Sequence, residues 1–195
     1  MNKPTSSQLH TTPLPTREGQ GGGSSPSSQT HTTPLPTREG QGGGSSTLLF
    51  PGSFDPFTRG HANLVERALA LFDEVVIAVG VNPQKPGWIP ADERVRALKD
   101  FYKEDARVRV ESYSGLTVDF AASIGASAIL RGLRSVKDYE YELSMADVNR
   151  QLAGIETVIL FADPELAAIS SSVVRELAHF GKDITPFLPE GFPKI

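Results

Sequence analysis

From Thr47 onward the chain alternates short apolar runs with longer amphipathic stretches, and this alternation constrains the fold more than any other feature. The uninterrupted apolar run Val75–Val81 suits a strand covered on both faces, as in a parallel sheet. Leu48–Phe50, Val108–Val110, Ala128–Leu130 and Val158–Phe161 are further strand candidates. Between them Leu64, Ala68, Leu71 and Phe72 recur at helical spacing, as do Val95, Leu98 and Phe101 after the start signal Pro90-Ala91-Asp92-Glu93. Leu116–Ile124, Asp138–Leu152 and Ser170–Phe180, closed by Gly125, Gly154 and Gly181, complete five helices. The repeated βα order predicts an α/β fold, a Rossmann-like doubly wound sheet of five parallel strands in a single domain. Ligands are expected outside the carboxyl ends of those strands.

The first 46 residues are a different polymer. They hold 8 Gly, 6 Pro, 8 Ser and 8 Thr, and only Met1, Leu9, Leu14 and Leu35 offer apolar side chains. That surface is too small to offset the backbone entropy of folding. Ser6–Ser25 repeats at Ser27–Ser46 with one change, Leu9 against Thr30, at an offset of 21 residues. A stacked repeat needs apolar faces that these units lack. His10 and His31 stand isolated, with no neighbouring carboxylate cluster to make a metal site. Residues 1–46 are therefore expected to be a disordered, low-complexity duplicated tail, and 47–195 the folded domain.

Charge and composition narrow the function. The chain carries 19 Lys plus Arg against 23 Asp plus Glu, and the acidic excess lies entirely beyond the tail. A non-specific nucleic-acid binder needs the opposite balance. The chain has no cysteine, so disulfides and thiolate chemistry are excluded. No apolar run approaches the roughly 18 residues of a membrane span, and the amino terminus lacks the apolar stretch of a signal peptide. A cytoplasmic location follows as the expectation.

The segments after the strands carry the chemistry. The first strand is followed by Pro51-Gly52-Ser53-Phe54-Asp55-Pro56-Phe57-Thr58-Arg59-Gly60-His61 and a helix. Gly52 permits close backbone approach, Ser53 supplies a hydroxyl, and Gly60-His61 falls where helix N–H groups favour a phosphate. A histidine there can donate to a phosphate oxygen as charge develops. A turn glycine and a capping histidine are the plainer reading of the same pair. Lys85 lies in a Pro-bounded loop after the second strand, where a lone lysine is usually solvated. Arg131-Gly132-Leu133-Arg134 follows the fourth strand and offers guanidinium forks beside a glycine. Those arginines can equally balance Asp138, Glu140 and Glu142. Ser170-Ser171-Ser172 opens the last helix, either as ordinary capping or as a second phosphate site. Asp55, between Phe54 and Pro56, is read as fixing a turn rather than as a metal ligand.

Thr58-Arg59-Gly60-His61 resembles the T/H-x-G-H signature of the nucleotidyltransferase superfamily. PGSFDPFTRGH, the stretch RGLRSVKDYEYELSMADVNRQL and the helix start ISSSVVRE together resemble the bacterial phosphopantetheine adenylyltransferases, over about Leu48 to Pro189. The resemblance implies transfer of the adenylyl group of ATP to 4′-phosphopantetheine, giving dephospho-coenzyme A and pyrophosphate, the penultimate step of coenzyme A synthesis. It implies a catalytic set of His61, Lys85 and Arg134. It places Ser53, Phe54, His61, Gly132, Leu133, Arg134, Glu142 and Leu166-Ala167-Ala168-Ile169-Ser170-Ser171-Ser172 at ATP. It places Ser53, Lys85, Thr117 and Arg131 at phosphopantetheine. It further implies Mg²⁺ held mainly through substrate phosphates, no protein metal ligand, and a homohexamer. Ser53 stands where the family usually has Thr, and Leu166-Ala167-Ala168 lacks an aromatic found in some members. A nicotinamide-nucleotide adenylyltransferase or cytidylyltransferase would share the Gly-His loop. A non-catalytic nucleotide- or coenzyme-A-binding module would keep the fold without needing the cations.

Overall fold

Hydrophobic periodicity resolves into two covered faces of one sheet. The computed structural model describes residues 46–82, 84 and 86–193; the tail before Ser46, and Lys85, lie outside the described residues. Five strands, β1 (Thr47–Gly52), β2 (Glu74–Gly80), β3 (Val108–Tyr113), β4 (Ala128–Leu133) and β5 (Glu156–Phe161), pair in parallel in the order β3-β2-β1-β4-β5. The helices are α1 (Arg59–Leu69), α2 (Ala91–Phe101), α3 (Thr117–Ser123), α4 (Val136–Ala153) and α5 (Ser171–His179). A short 3₁₀ turn, Thr185–Phe187, follows them and was not legible in the apolar pattern. Among the described residues no helix is long and apolar enough to cross a membrane.

Successive residues of the central strands bury on opposite faces, as the two-residue strand period requires. Leu48, Phe50, Val75, Ile77 and Val79 pack with Leu64, Val65 and Ala68 of α1 and Leu98 of α2. Leu49, Val76, Ala78 and Ile129 pack with Val118 and Ala121 of α3. α4 stops at Gly154, which takes the left-handed conformation, φ 64°.

One boundary differs from expectation in a way that matters. Arg131, Gly132 and Leu133 are the last residues of β4 and not a loop beyond it. The apolar run stops at Leu130, but backbone pairing with β5 continues through Leu133↔Phe161. On its other edge β4 pairs with β1 only at Leu48↔Ala128 and Leu49↔Ile129, whereas β1 and β2 stay paired over six positions. The strand order reverses between β1 and β4, and the two strands part beyond Ile129. The crevice that opens there is the topological switch point, where doubly wound sheets bind ligands.

Candidate active site

The crevice is a cavity of about 320 Å³ roofed by the first turns of α1 and α5 and floored by the end of β4. Ser53, His61, Arg131, Gly132, Arg134 and Glu142 all line it, as do Leu166, Ile169 and the three serines Ser170, Ser171 and Ser172. Leu133 faces the core at 3% exposure, and its backbone carbonyl accepts from the Ala162 N–H at 2.7 Å. Ala167 and Ala168 stand beside the cavity without lining it. Gly132 leaves room for α1: a β-carbon there would lie 2.4 Å from Cδ1 of Leu64, so a larger residue would make the Leu64 side chain turn aside.

His61 is the third residue of α1 and closes its start. Its Nδ1 accepts the backbone N–H of Thr58 at 3.0 Å and lies 3.0 Å from the Thr58 hydroxyl. Because Nδ1 accepts, the neutral ring carries its proton on Nε2, which has no protein partner among the described residues. Phe57 stacks on the ring at 5.4 Å and Phe54 meets it edge-on at 5.2 Å. Burial, reinforced by the positive charge of Arg134, lowers the His61 pKa to about 4. At neutral pH the group is therefore an uncharged N–H donor. The capping reading of His61 is realised through Nδ1, and Nε2 stays available on a residue that lines the cavity.

This shift has a sign in stability. The unfolded ring takes up a proton near pH 6.5, while the folded ring stays neutral until about pH 4, so protons favour the unfolded chain between those values. We expect unfolding free energy to be insensitive to His61 above pH 6.5 and to lose about 1–2 kcal/mol through it between pH 6.5 and 5, allowing for partial solvent access. Urea denaturation of the wild type and of His61→Asn at pH 7 and pH 5 measures this. Equal acid losses in the two proteins would contradict it.

Phe54 is 2% exposed, and its ring is a wall of the core. Its backbone has φ 48°. It lines the cavity all the same. Arg131 makes a bidentate pair with Glu142, Nε and Nη2 each donating at 2.6 Å, and its Nη1 donates to the Pro51 carbonyl at 3.3 Å. Burial opposes the charge on Arg131, but the hydrogen bonds and negative charge of Glu142 outweigh it, so its pKa lies above the ordinary value. Arg134 is held by Asp138, which accepts its backbone N–H at 3.2 Å and its Nε at 3.3 Å. Charge balance by acidic neighbours and presentation to the cavity thus coexist in both arginines.

The serine hydroxyls are all engaged. Ser170 caps α5 by accepting the Val173 N–H at 3.2 Å, Ser171 donates to the Pro56 carbonyl at 2.8 Å, and Ser172 accepts from Arg175 at 3.1 Å. They shape the helix start, whose backbone N–H groups face the cavity end. Thr117 lines a second cavity of about 260 Å³ that also contains Leu116, Tyr141, Met145 and Asn149, and a further one of about 410 Å³ where Ser53, Asn82 and Arg131 join it. The first and second cavities share Pro51, Arg131 and Glu142. Tyr141, Met145 and Asn149 share one face of α4 at helical spacing, a signal masked by the exposed apolar residues elsewhere on that helix. Arg175 lines the first cavity too, four residues after Ser171 on the same side of α5.

A crevice at the switch point, two helix starts aimed into it, a neutral histidine donor and two arginines define a site for joining phosphate-bearing substrates. The cytidylyltransferase-like family model matches residues 49–177, placing the chain among the nucleotidyltransferases. A putative nicotinate-nucleotide adenylyltransferase from Vibrio parahaemolyticus superposes with TM-score 0.53 at 17% identity, covering 74% of this chain and 93% of that one. That likeness concerns the fold. The phosphopantetheine adenylyltransferase of Phocaeicola vulgatus is 55% identical over 143 residues, 73% of this chain and 95% of the relative. That of Porphyromonas gingivalis is 54% identical over 144 residues, 74% and 94% of the respective chains. The chain belongs to the phosphopantetheine adenylyltransferase family.

Proposed function

We infer that the protein transfers the adenylyl group of ATP to 4′-phosphopantetheine, releasing pyrophosphate and giving dephospho-coenzyme A. The observation that carries this reading is Arg131 at the junction of two cavities. One has the groups to hold a nucleoside triphosphate, and the other is a part-apolar recess suited to a pantetheine arm. An acceptor phosphate near Arg131 and Ser53 would meet the α-phosphate of ATP held in the first cavity.

The acceptor phosphate is already an anionic nucleophile. Its oxygen forms a bond to the α-phosphorus as the bond from that phosphorus to the bridging oxygen breaks, and pyrophosphate leaves with the electron pair. No covalent enzyme intermediate and no protein base is required. The protein must hold two anions in line and spread the charge. Nε2–H of His61, the guanidinium of Arg134 and the N–H groups opening α1 and α5 would do this, with Lys85 as a further cation.

Among the described residues no cluster of three or more His, Asp or Glu is placed to hold a metal. The cavity carboxylates Asp138 and Glu142 are committed to Arg134 and Arg131. A magnesium ion would therefore be bound through phosphate oxygens and water, where it neutralises triphosphate charge. The homohexamer and the cytoplasmic location belong to the same proposal. α4 leaves Val136, Tyr141 and Leu152 more than half exposed, which suits burial against another copy.

Pyrophosphate release from Mg·ATP is expected with 4′-phosphopantetheine, and not with nicotinamide mononucleotide, nor from CTP with phosphorylated alcohols. Light scattering of the same preparation should return six protomers. Absence of turnover with phosphopantetheine, or turnover with the other acceptors alone, would overturn the assignment.

A further inference from the structure

Asp55 and Arg94 are buried, at 6% and 7% exposure, and the reaction as derived uses neither. Both are spent on backbone. The Asp55 carboxylate accepts the Trp88 N–H at 2.8 Å and the Ile89 N–H at 2.9 Å, one on each oxygen. Gly87 makes room for this, since a β-carbon there would lie 2.9 Å from Oδ2 of Asp55. Arg94 of α2 donates from Nε to the Ile89 carbonyl at 2.9 Å, and its Nη1 donates to the carbonyl of Ser53. From the other side, Arg175 of α5 donates to the Asp55 carbonyl at 2.6 Å and to the Ser172 hydroxyl at 3.1 Å. Ser171 fixes the adjacent Pro56 carbonyl.

These bonds join three segments far apart in sequence: the loop after β1, which carries Ser53 and leads into Thr58 and His61; the base of the loop after β2; and the start of α5. We propose that Asp55 is a positioning residue for adenylyl transfer: its carboxylate ties the loop after β1 to the base of the loop after β2, beside the Arg94 tie between the same segments, while Arg175 on its main-chain carbonyl ties that loop to the start of α5. The inference rests on the reaction proposed above. Its physical content is alignment: these ties set the relative position of the elements around the cavity, so loosening them at Asp55, which does not line that cavity, misaligns the attacking oxygen.

Asp55→Asn isolates the effect. A carboxylate accepts two N–H groups, whereas a carboxamide of the same shape accepts one and points its own N–H₂ at the other. In the full chain at saturating Mg·ATP and 4′-phosphopantetheine, kcat is expected to fall about 10- to 100-fold, with KM for ATP changed less than about threefold. Arg175→Met, on a partly exposed helix face, should lose about tenfold in kcat, and Arg175→Lys should recover part of it. The double variant Asp55→Asn/Arg175→Met should lose clearly less than the product of the two single losses, because the two ties are separate but hold the same loop after β1. Wild-type kcat in Asp55→Asn, multiplicative losses in the double variant, or losses that track the folded fraction by circular dichroism would overturn the inference. A wild-type protein inactive with phosphopantetheine would instead overturn the reaction it rests on. If Asp55→Asn does not fold, the Arg175 pair decides: full activity in Arg175→Met overturns the proposal.

Discussion

Replacing His61 by Ala or Asn is expected to lower kcat by about 10²–10³-fold, the effect of removing one preorganised donor worth about 2.7–4 kcal/mol to a developing phosphoryl charge. The two variants separate chemistry from architecture. Alanine also removes the Nδ1 acceptor that caps the Thr58 N–H at 3.0 Å, whereas the Asn carbonyl can accept in its place, so only Ala should shorten the thermal range of the fold appreciably. Both should bind ATP within about threefold of wild type, since the donor acts most strongly in the transition state. Steady-state kinetics with nucleotide binding by calorimetry makes the comparison. Turnover near the wild-type level in either variant would refute the role of Nε2–H. A general-acid role is disfavoured beforehand, because a ring whose pKa lies about 4 is not protonated at neutral pH.

Arg131→Met should be costly twice over. Its guanidinium is the bidentate partner of Glu142, which is 6% exposed, and truncation strands a buried carboxylate. Breaking such a pair from one side costs about 3 kcal/mol or more, mainly through the charge left behind. The same change removes the cation at the junction of the two cavities, so kcat/KM for phosphopantetheine should drop by at least about 10²-fold, as for a charge-assisted phosphate contact. The double variant Arg131→Met/Glu142→Met distinguishes the two losses. It should recover most of the stability, as apolar replacement of both partners often does, and none of the activity. Chemical denaturation and initial rates are the measurements. Recovery of activity along with stability would show that Arg131 acts only by neutralising Glu142.

Much of this was legible from residue order, and where it was not the reasons are physical. The five strands and the first two helices follow from apolar period, because burial on two faces of a sheet or one stripe of a helix writes itself into sequence, whereas α4, which buries Glu142 and Asn149, is marked by its stop at Gly154. The end of β4 does not, since Arg131 and Gly132 are paired by backbone bonds to β5, and such bonds carry no side-chain signal. The serines show the same divide. Three hydroxyls at a helix start suggest capping or ligand contact, and residue order does not name the protein partners they take, the Val173 N–H, the Pro56 carbonyl and Arg175. Asp55 between Phe54 and Pro56 looks locally like a turn former, but its carboxylate reaches Trp88 and Ile89, 33 and 34 positions away.

Sequence by itself therefore determined the layering, the parallel order of elements and the kinds of group available to handle phosphate, because these depend on periodicity and on chemistry intrinsic to each residue. The tertiary structure alone decided that β1 and β4 part beyond Ile129, that His61 caps with one nitrogen and offers the other, and that Arg131 stands between two cavities. Those facts depend on contacts between segments distant along the chain, and the geometry of such contacts exists only once the sheet has closed around them.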